Sequence, residues 1–216
     1  MATIIAPSIL SADFAHLADE VKKVTDAGAE YVHIDVMDGT FVPEITIGAC
    51  VVKNLRSVTN AVFDVHLMVA HPETQIESFA KAGADIITFH AEVPFHSHRI
   101  IQQIHSAGCK AAVAINPGTS LYAIEEIIPD VEMVLIMTVN PGYGGQKFLS
   151  KILEKISRLR ETIDDLELKC DIEVDGGINA ETSKLVREAG ANVLVAGSAI
   201  YGAADISQAI RNIRGE

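Results

Sequence analysis

The chain has 216 residues, 49% of them apolar and 21% charged, the balance of an ordinary soluble globular protein with enough material for one well-filled core. A formal net charge of −12 disfavours nucleic acid as a partner, because the protein's field repels a polyanion, yet a few backbone amides can still hold a small anion. Cys50, Cys109 and Cys170 share no C-x-x-C spacing, the stretch Met1–Pro7 has no basic region before its apolar run, and no apolar segment reaches bilayer length. These features lead us to expect reduced thiols, a cytoplasmic protein and no membrane contact.

Apolar runs of strand length alternate with amphipathic runs of helix length along the whole chain. A strand over 4–6 runs into Pro7-Ser8-Ile9-Leu10, and a helix follows over 17–26. Next come a strand over 31–34, a short helix over 48–54, a strand over 61–65 and a helix over 74–81. Strand 86–89, helix 97–106, strand 111–115, helix 121–127, strand 133–137 and helix 149–164 continue the series. Strand 170–174, helix 180–188, strand 193–196 and helix 206–213 complete it. Ala27-Gly28-Ala29, Ala82-Gly83-Ala84, Ala107-Gly108-Cys109 and Ala189-Gly190-Ala191 each separate a helix from the next strand. Glycine suits a helix C-cap there, and its small neighbours let the helix end sit close to the sheet.

The strands are almost continuously apolar, as expected when both faces are covered. Eight units of about 27 residues predict an α/β protein: a single (β/α)8 TIM barrel domain over residues 1–216. An open doubly wound sheet uses the same alternation. It would need fewer strands or a longer chain, and usually a Gly-x-Gly-x-x-Gly turn where this chain has Pro7-Ser8.

A barrel of this kind carries its chemistry at the carboxyl ends of the strands. Ser8 falls there after the first strand, His33 and Asp35 at the second, His66 at the third, His90 at the fourth, Asn116 at the fifth, Asn140 after the sixth and Asp175 at the seventh. Residues two apart on a strand share a face, so His33 and Asp35 point together. With His66 and Asp175 they make two imidazoles and two carboxylates, a donor set for a divalent metal ion. Singly, each has an ordinary explanation as a satisfied core histidine or a turn carboxylate, and Met37, Met68 and Met137 read as core filler. Gathered on one rim, the four donors indicate an enzyme's site.

Glycine-rich loops add to the same end. Asn140-Pro141-Gly142-Tyr143-Gly144-Gly145-Gln146 is too long for a tight turn and could act as a lid whose N–H groups meet an anion. Gly176-Gly177 and Gly197-Ser198 follow the last two strands, where barrels commonly bind phosphate. No lysine stands between Asp35 and Asp38 or at the other strand ends, which argues against an Asp-x-Lys decarboxylase and against a Schiff base. A Gly-x-Ser-x-Gly elbow is also absent.

The chain closely resembles the ribulose-phosphate 3-epimerase family. The resemblance rests on Ala6-Pro7-Ser8-Ile9-Leu10-Ser11-Ala12-Asp13-Phe14, the stretch from His33 to Pro43, Asp64-Val65-His66-Leu67-Met68, Asn116-Pro117-Gly118-Thr119, Met137-Thr138-Val139-Asn140-Pro141-Gly142, Asp175-Gly176-Gly177-Ile178 and Ala196-Gly197-Ser198. It spans essentially the whole chain and implies interconversion of D-ribulose 5-phosphate and D-xylulose 5-phosphate with one divalent cation per subunit, in a homo-oligomer. His33, Asp35, His66 and Asp175 would be the metal ligands. The two imidazoles and two carboxylates suit zinc, iron(II), manganese or cobalt alike. Gly142, Tyr143, Gly144, Gly145, Gly176, Gly177, Gly197 and Ser198 would bind the phosphate end, with Ser8, His66 and Asp175 towards the sugar.

Inversion of a carbon beside a carbonyl needs two acid/base groups on opposite faces of a planar enediolate, together with positive charge near its oxygens. The expectation assigns the C3 proton of ribulose 5-phosphate to Asp35 and reprotonation of the far face to Asp175. Met37, Met68 and Met137 would wall the intermediate. Epimerisation of allulose 6-phosphate, one carbon longer, uses the same chemistry. A sugar-phosphate-binding barrel without catalysis is the reading from another class.

Overall fold

Among the described residues eight strands run parallel: β1 (Ile4–Pro7), β2 (Tyr31–Met37), β3 (Val62–Met68), β4 (Ile86–His90), β5 (Lys110–Ile115), β6 (Met133–Met137), β7 (Asp171–Asp175) and β8 (Val193–Ala196). The computed structural model describes residues 2–216, and Met1, where the N-terminal stretch discussed above begins, lies outside them. Each strand pairs with its successor from β2 to β8, and β8 pairs with β1. A parallel bridge between Ser8 and His33 joins the end of β1 to β2 and closes the ring. The result is the expected (β/α)8 barrel.

The helices α1 (Leu17–Asp26), α2 (Ala49–Leu55), α3 (Ile76–Ala82), α4 (Ser97–Ser106), α5 (Leu153–Asp165) and α6 (Ala180–Glu188) fill every strand connection except that from β5 to β6, and α7 (Ser198–Tyr201) and α8 (Ile206–Arg214) follow β8. Their apolar stripes, such as Ile100, Ile101 and Ile104 of α4 and Ile156, Leu159 and Ile163 of α5, pack on the outward strand residues Val32, Ile34, Phe63, Val65, Ile87 and Phe89. Inside the ring, Tyr31, Ile86, Ala112, Met133 and Val193 fill the amino-terminal half, with Ala6 and Val195 packed on them towards the rim. The lumen is therefore plugged from below, and inward polar groups gather towards the rim.

Two differences from expectation bear on the site. Strands β2 and β3 run three residues further than their apolar runs suggested, so Asp35 and His66 sit on the ladder itself and not in the loops beyond. The helix expected over 121–127 is two 3-10 turns, Leu121–Ala123 and Glu125–Asp130. Pro129 lies inside the second turn, has no N–H to give, and would crowd the carbonyl four residues back in an α-helix.

Candidate active site

Strand register assembles the donors. In the β2–β3 ladder His33 stands beside Asp64, Asp35 beside His66 and Met37 beside Met68. In the β6–β7 ladder Leu135 stands beside Glu173 and Met137 beside Asp175. Alternate residues share a face, so the inward faces stack polar groups at two levels: His33, Asp64 and Glu173 deep, then Asp35, His66 and Asp175 nearer the rim. The expected donors His33, Asp35, His66 and Asp175 come together, with one ligand atom from each inside a group no more than 4.8 Å across.

His33 and His66 are wholly buried, and the ring nitrogens they offer differ. Nε2 of His33 lies 3.4 Å from Asp35 Oδ1. Nδ1 of His66 lies 3.2 Å from the same oxygen and 3.9 Å from Asp175 Oδ2. The Ser8 hydroxyl donates to Asp35 Oδ2 at 2.5 Å and so fixes that carboxylate from the β1 side. His33 Nε2 is buried without a hydrogen-bond partner, although it faces the carboxylate beside it. A divalent cation would satisfy this orphan atom, and two imidazoles with two carboxylates are a suitable donor set for one. The residues present fit a metal.

The rear nitrogens are also occupied. His33 Nδ1 lies 2.6 Å from Asp64 Oδ2 and 3.4 Å from Glu173 Oε1. His66 Nε2 lies 2.9 Å from His90 Nε2, and His90 Nδ1 lies 3.1 Å from Glu92 Oε2. Thr138 ties down the end of β7, its N–H and its hydroxyl both donating to the Asp175 carbonyl at 2.8 Å. Thr46 does the same for β2, its hydroxyl donating to the Asp35 carbonyl at 2.6 Å.

These surroundings separate the acidities. Burial opposes ionisation of Asp35, but the His33 charge and the hydrogen bond from His66 outweigh it and hold the carboxyl well below the usual range. At Asp175 burial acts together with the Asp35 charge and pushes the carboxyl up to about 7. Burial also opposes a charge on His33, yet the carboxylates of Asp35, Asp64 and Glu173 raise it well above its ordinary value. A bound cation would take the place of that proton. Burial and the Asp64 charge push the Glu173 carboxyl far up, against the pull of the His33 charge.

Above the donors opens a cavity of about 600 Å³, lined by Ser8, Asp35, Asp175, the three methionines Met37, Met68 and Met137, and the loops after β6, β7 and β8. His33 and His66 are buried beneath it. Gly142, Tyr143, Gly144, Gly145, Gly176, Gly177, Gly197 and Ser198 all line it, as does Asn140. The Gln146 amide closes the loop after β6 on itself, donating to the carbonyls of Asn140 at 2.6 Å and Tyr143 at 2.9 Å. Gly177 has a φ of +67°, and a Cβ there would meet the Phe148 backbone nitrogen at 2.6 Å, so only glycine lets the two loops approach. Asn116 stays away from the cavity; its backbone N–H donates to Glu92 at 2.7 Å.

Sequence reasoning did not single out Asp64, Glu173 or Glu92. A signal existed for the first two: Asp64 and Glu173 lie two residues before His66 and Asp175, the same spacing that paired His33 with Asp35.

A model of the ribulose-phosphate 3 epimerase family matches residues 4–201. The ribulose-phosphate 3-epimerase of Bacillus subtilis (strain 168) is 55% identical over 212 residues, which cover 98% of both chains. The chloroplastic ribulose-5-phosphate-3-epimerase of Arabidopsis thaliana is 52% identical over 213 residues, covering 98% of this chain and 76% of that one. Among solved structures, KGPDC from Streptococcus mutans aligns over 99% of this chain and 96% of its own with a TM-score of 0.74 and 16% identity, a likeness of fold alone. Matched by the family model over nearly its whole length and by relatives at more than half identity, this chain belongs to the ribulose-phosphate 3-epimerase family.

Proposed function

We propose that this chain, acting as one domain over 1–216, inverts C3 of a ketose phosphate and interconverts D-ribulose 5-phosphate and D-xylulose 5-phosphate. The observation that carries this reading is the pair Asp35 and Asp175, which reach one cavity from β2 and β7 with the donor histidines His33 and His66 beneath them. The cavity volume of about 600 Å³ lies in the range of small-ligand sites.

His33 Nε2, His66 Nδ1 and the carboxylates of Asp35 and Asp175 would hold one divalent ion per subunit (zinc, iron(II), manganese or cobalt). When bound, it supplies the positive charge that makes a proton beside a carbonyl removable. Asp35, ionised and oriented by the Ser8 hydroxyl, takes the C3 proton of ribulose 5-phosphate. Asp175, reaching the cavity from β7, delivers a proton to the opposite face, and the roles exchange in the reverse direction. Met37, Met68 and Met137 wall the cavity with soft apolar surface that excludes water without adding charge. The backbone amides of Gly142, Tyr143, Gly144 and Gly145, with those of Gly176, Gly177, Gly197 and Ser198, take the phosphate in this reading.

Three free cysteines support a cytoplasmic setting, and no helix among the described residues is long and apolar enough to cross a membrane. Exposed Phe14 and Ile45 offer apolar surface to a homo-oligomer.

The test follows solvent deuterium into C3 of ribulose 5-phosphate while xylulose 5-phosphate formation is measured in the same sample. Label and product should appear together, vanish on chelation and return with a divalent ion. Asp175→Asn should lower turnover by about 100- to 10,000-fold, the weight of one acid/base group. Faster turnover of allulose 6-phosphate would reassign the substrate. Metal-replete protein that labels neither sugar would overturn the reading.

A further inference from the structure

Behind the proposed metal site, and resting on it, runs a chain of hydrogen bonds that determines which nitrogen of His66 can bind. A ring nitrogen that ligates a cation carries no proton, so neutral His66, binding through Nδ1, keeps its proton on Nε2. That Nε2 lies 2.9 Å from His90 Nε2, and two nitrogens so placed share one proton. His90 Nε2 therefore accepts, and the His90 proton sits on Nδ1, 3.1 Å from Glu92 Oε2.

The other Glu92 oxygen, Oε1, accepts the Asn116 backbone N–H at 2.7 Å and the Thr119 hydroxyl. The backbone N–H can only donate. It is also held in place, because Lys155 Nζ donates to the carbonyls of Asn116 at 3.1 Å, Pro117 at 3.0 Å and Thr119 at 2.6 Å. His90 is wholly buried with the Phe41 ring against it, their centroids 4.7 Å apart.

We propose that Glu92 and His90 are positioning residues for the metal site: Glu92, accepting on both oxygens, fixes the tautomer of His90 and through it that of His66, leaving His66 Nδ1 free for the cation. Neither residue touches the cavity. Their part is to hold one proton on the far side of each ring, as carboxylates behind metal-bound histidines generally do.

Glu92→Gln tests this with almost no change of shape. Its amide oxygen must stay with the Asn116 N–H, which turns the NH2 group towards His90 Nδ1. That nitrogen must then accept, the His90 proton moves to Nε2, and the His66 proton is driven to Nδ1, the atom the cation needs. In the full chain titrated with Zn²⁺ or Mn²⁺ against a competing chelator, Glu92→Gln should raise the apparent Kd about 10- to 100-fold. Nitrogen-15 NMR of labelled histidine should show His90 as the Nδ1–H tautomer in the zinc-loaded parent and as the Nε2–H tautomer in the variant.

A second pair covers a misfolded Glu92→Gln. His90→Gln keeps an acceptor oxygen towards His66 and should stay within about threefold of the parent Kd, whereas His90→Leu should show the full 10- to 100-fold loss. A parent-like Kd and an unchanged His90 tautomer in Glu92→Gln, or equal losses in the two His90 variants, would overturn the proposal. A parent chain that takes up no cation would overturn the metal site itself, a result distinct from a tight parent site indifferent to Glu92.

Discussion

Asp35 and Asp38 stand three residues apart and do different work. Asp35 faces the cavity, whereas Asp38 accepts the N–H groups of Thr40 and Phe41 on Oδ1 and that of Ala70 on Oδ2, tying the turn after β2 to the end of β3. Burial opposes ionisation of Asp38, but these N–H donors outweigh it and hold its carboxyl below the ordinary value of 3.8. A folded-state pKa below the unfolded one means stability that is fully present above the unfolded value and lost as pH falls through the folded one. Asp38→Asn should therefore cost about 1–2 kcal/mol at pH 7, as expected for hydrogen bonds to a charged acceptor. The gap should close as pH falls below about 4. Melting curves of both chains from pH 7 to pH 3 check this, and a gap that does not change with pH would remove the charge from the explanation. C3 exchange should survive the substitution, because Asp38 does not line the cavity.

At the level of elements, the parts legible in the sequence were those set by local pattern. Eight apolar runs separated by glycine-capped helices gave the barrel, and His33-x-Asp35 placed two donors on one face before any pairing was known. The deeper layer was not legible, because it depends on register. Asp64 meets His33 only because β2 and β3 pair in step, and Glu173 meets it only because β7 stands across the lumen. Glu92 lies beyond the end of β4, and its partners come from the loop after β5 and, through Lys155, from α5. That lysine is an element-scale device, since one side chain of α5 collects three carbonyls of a neighbouring loop. Lys155→Met should destabilise the chain by roughly 2 kcal/mol, in the range for a hydrogen bond with a charged partner. Amide exchange at Asn116, whose N–H donates to Glu92, should speed up while exchange within β2 stays the same. Unchanged exchange at Asn116 would show that the loop holds itself.

Over the whole molecule, parallel pairing sends the carboxyl ends of all eight strands to one rim, so donors far apart in sequence converge without any long loop. The convergence has an electrostatic cost. In the metal-free chain Asp35, Asp64 and Asp175 share one buried region with His33 and His66, and burial together with the Asp35 charge already disfavours an ionised Asp175. A cation held by His33, Asp35, His66 and Asp175 would relieve this crowding and tie β2 and β3 to β7 across the mouth. A ligand that binds only the folded chain stabilises it by about 2.7 kcal/mol at 100 times its Kd. For a chain of this length, 1 kcal/mol moves the melting temperature by roughly 2–4 °C. Saturating Zn²⁺ or Mn²⁺ should therefore raise Tm by about 5–10 °C over the stripped protein. Asp175→Asn should lose most of that rise, because its amide is a poor ligand. Asp38→Asn should keep all of it, because that residue stands outside the donor group. A rise of equal size in all three chains would place the stabilising cation elsewhere on the molecule, and no rise at saturation would mean that the four donors do not act as one site.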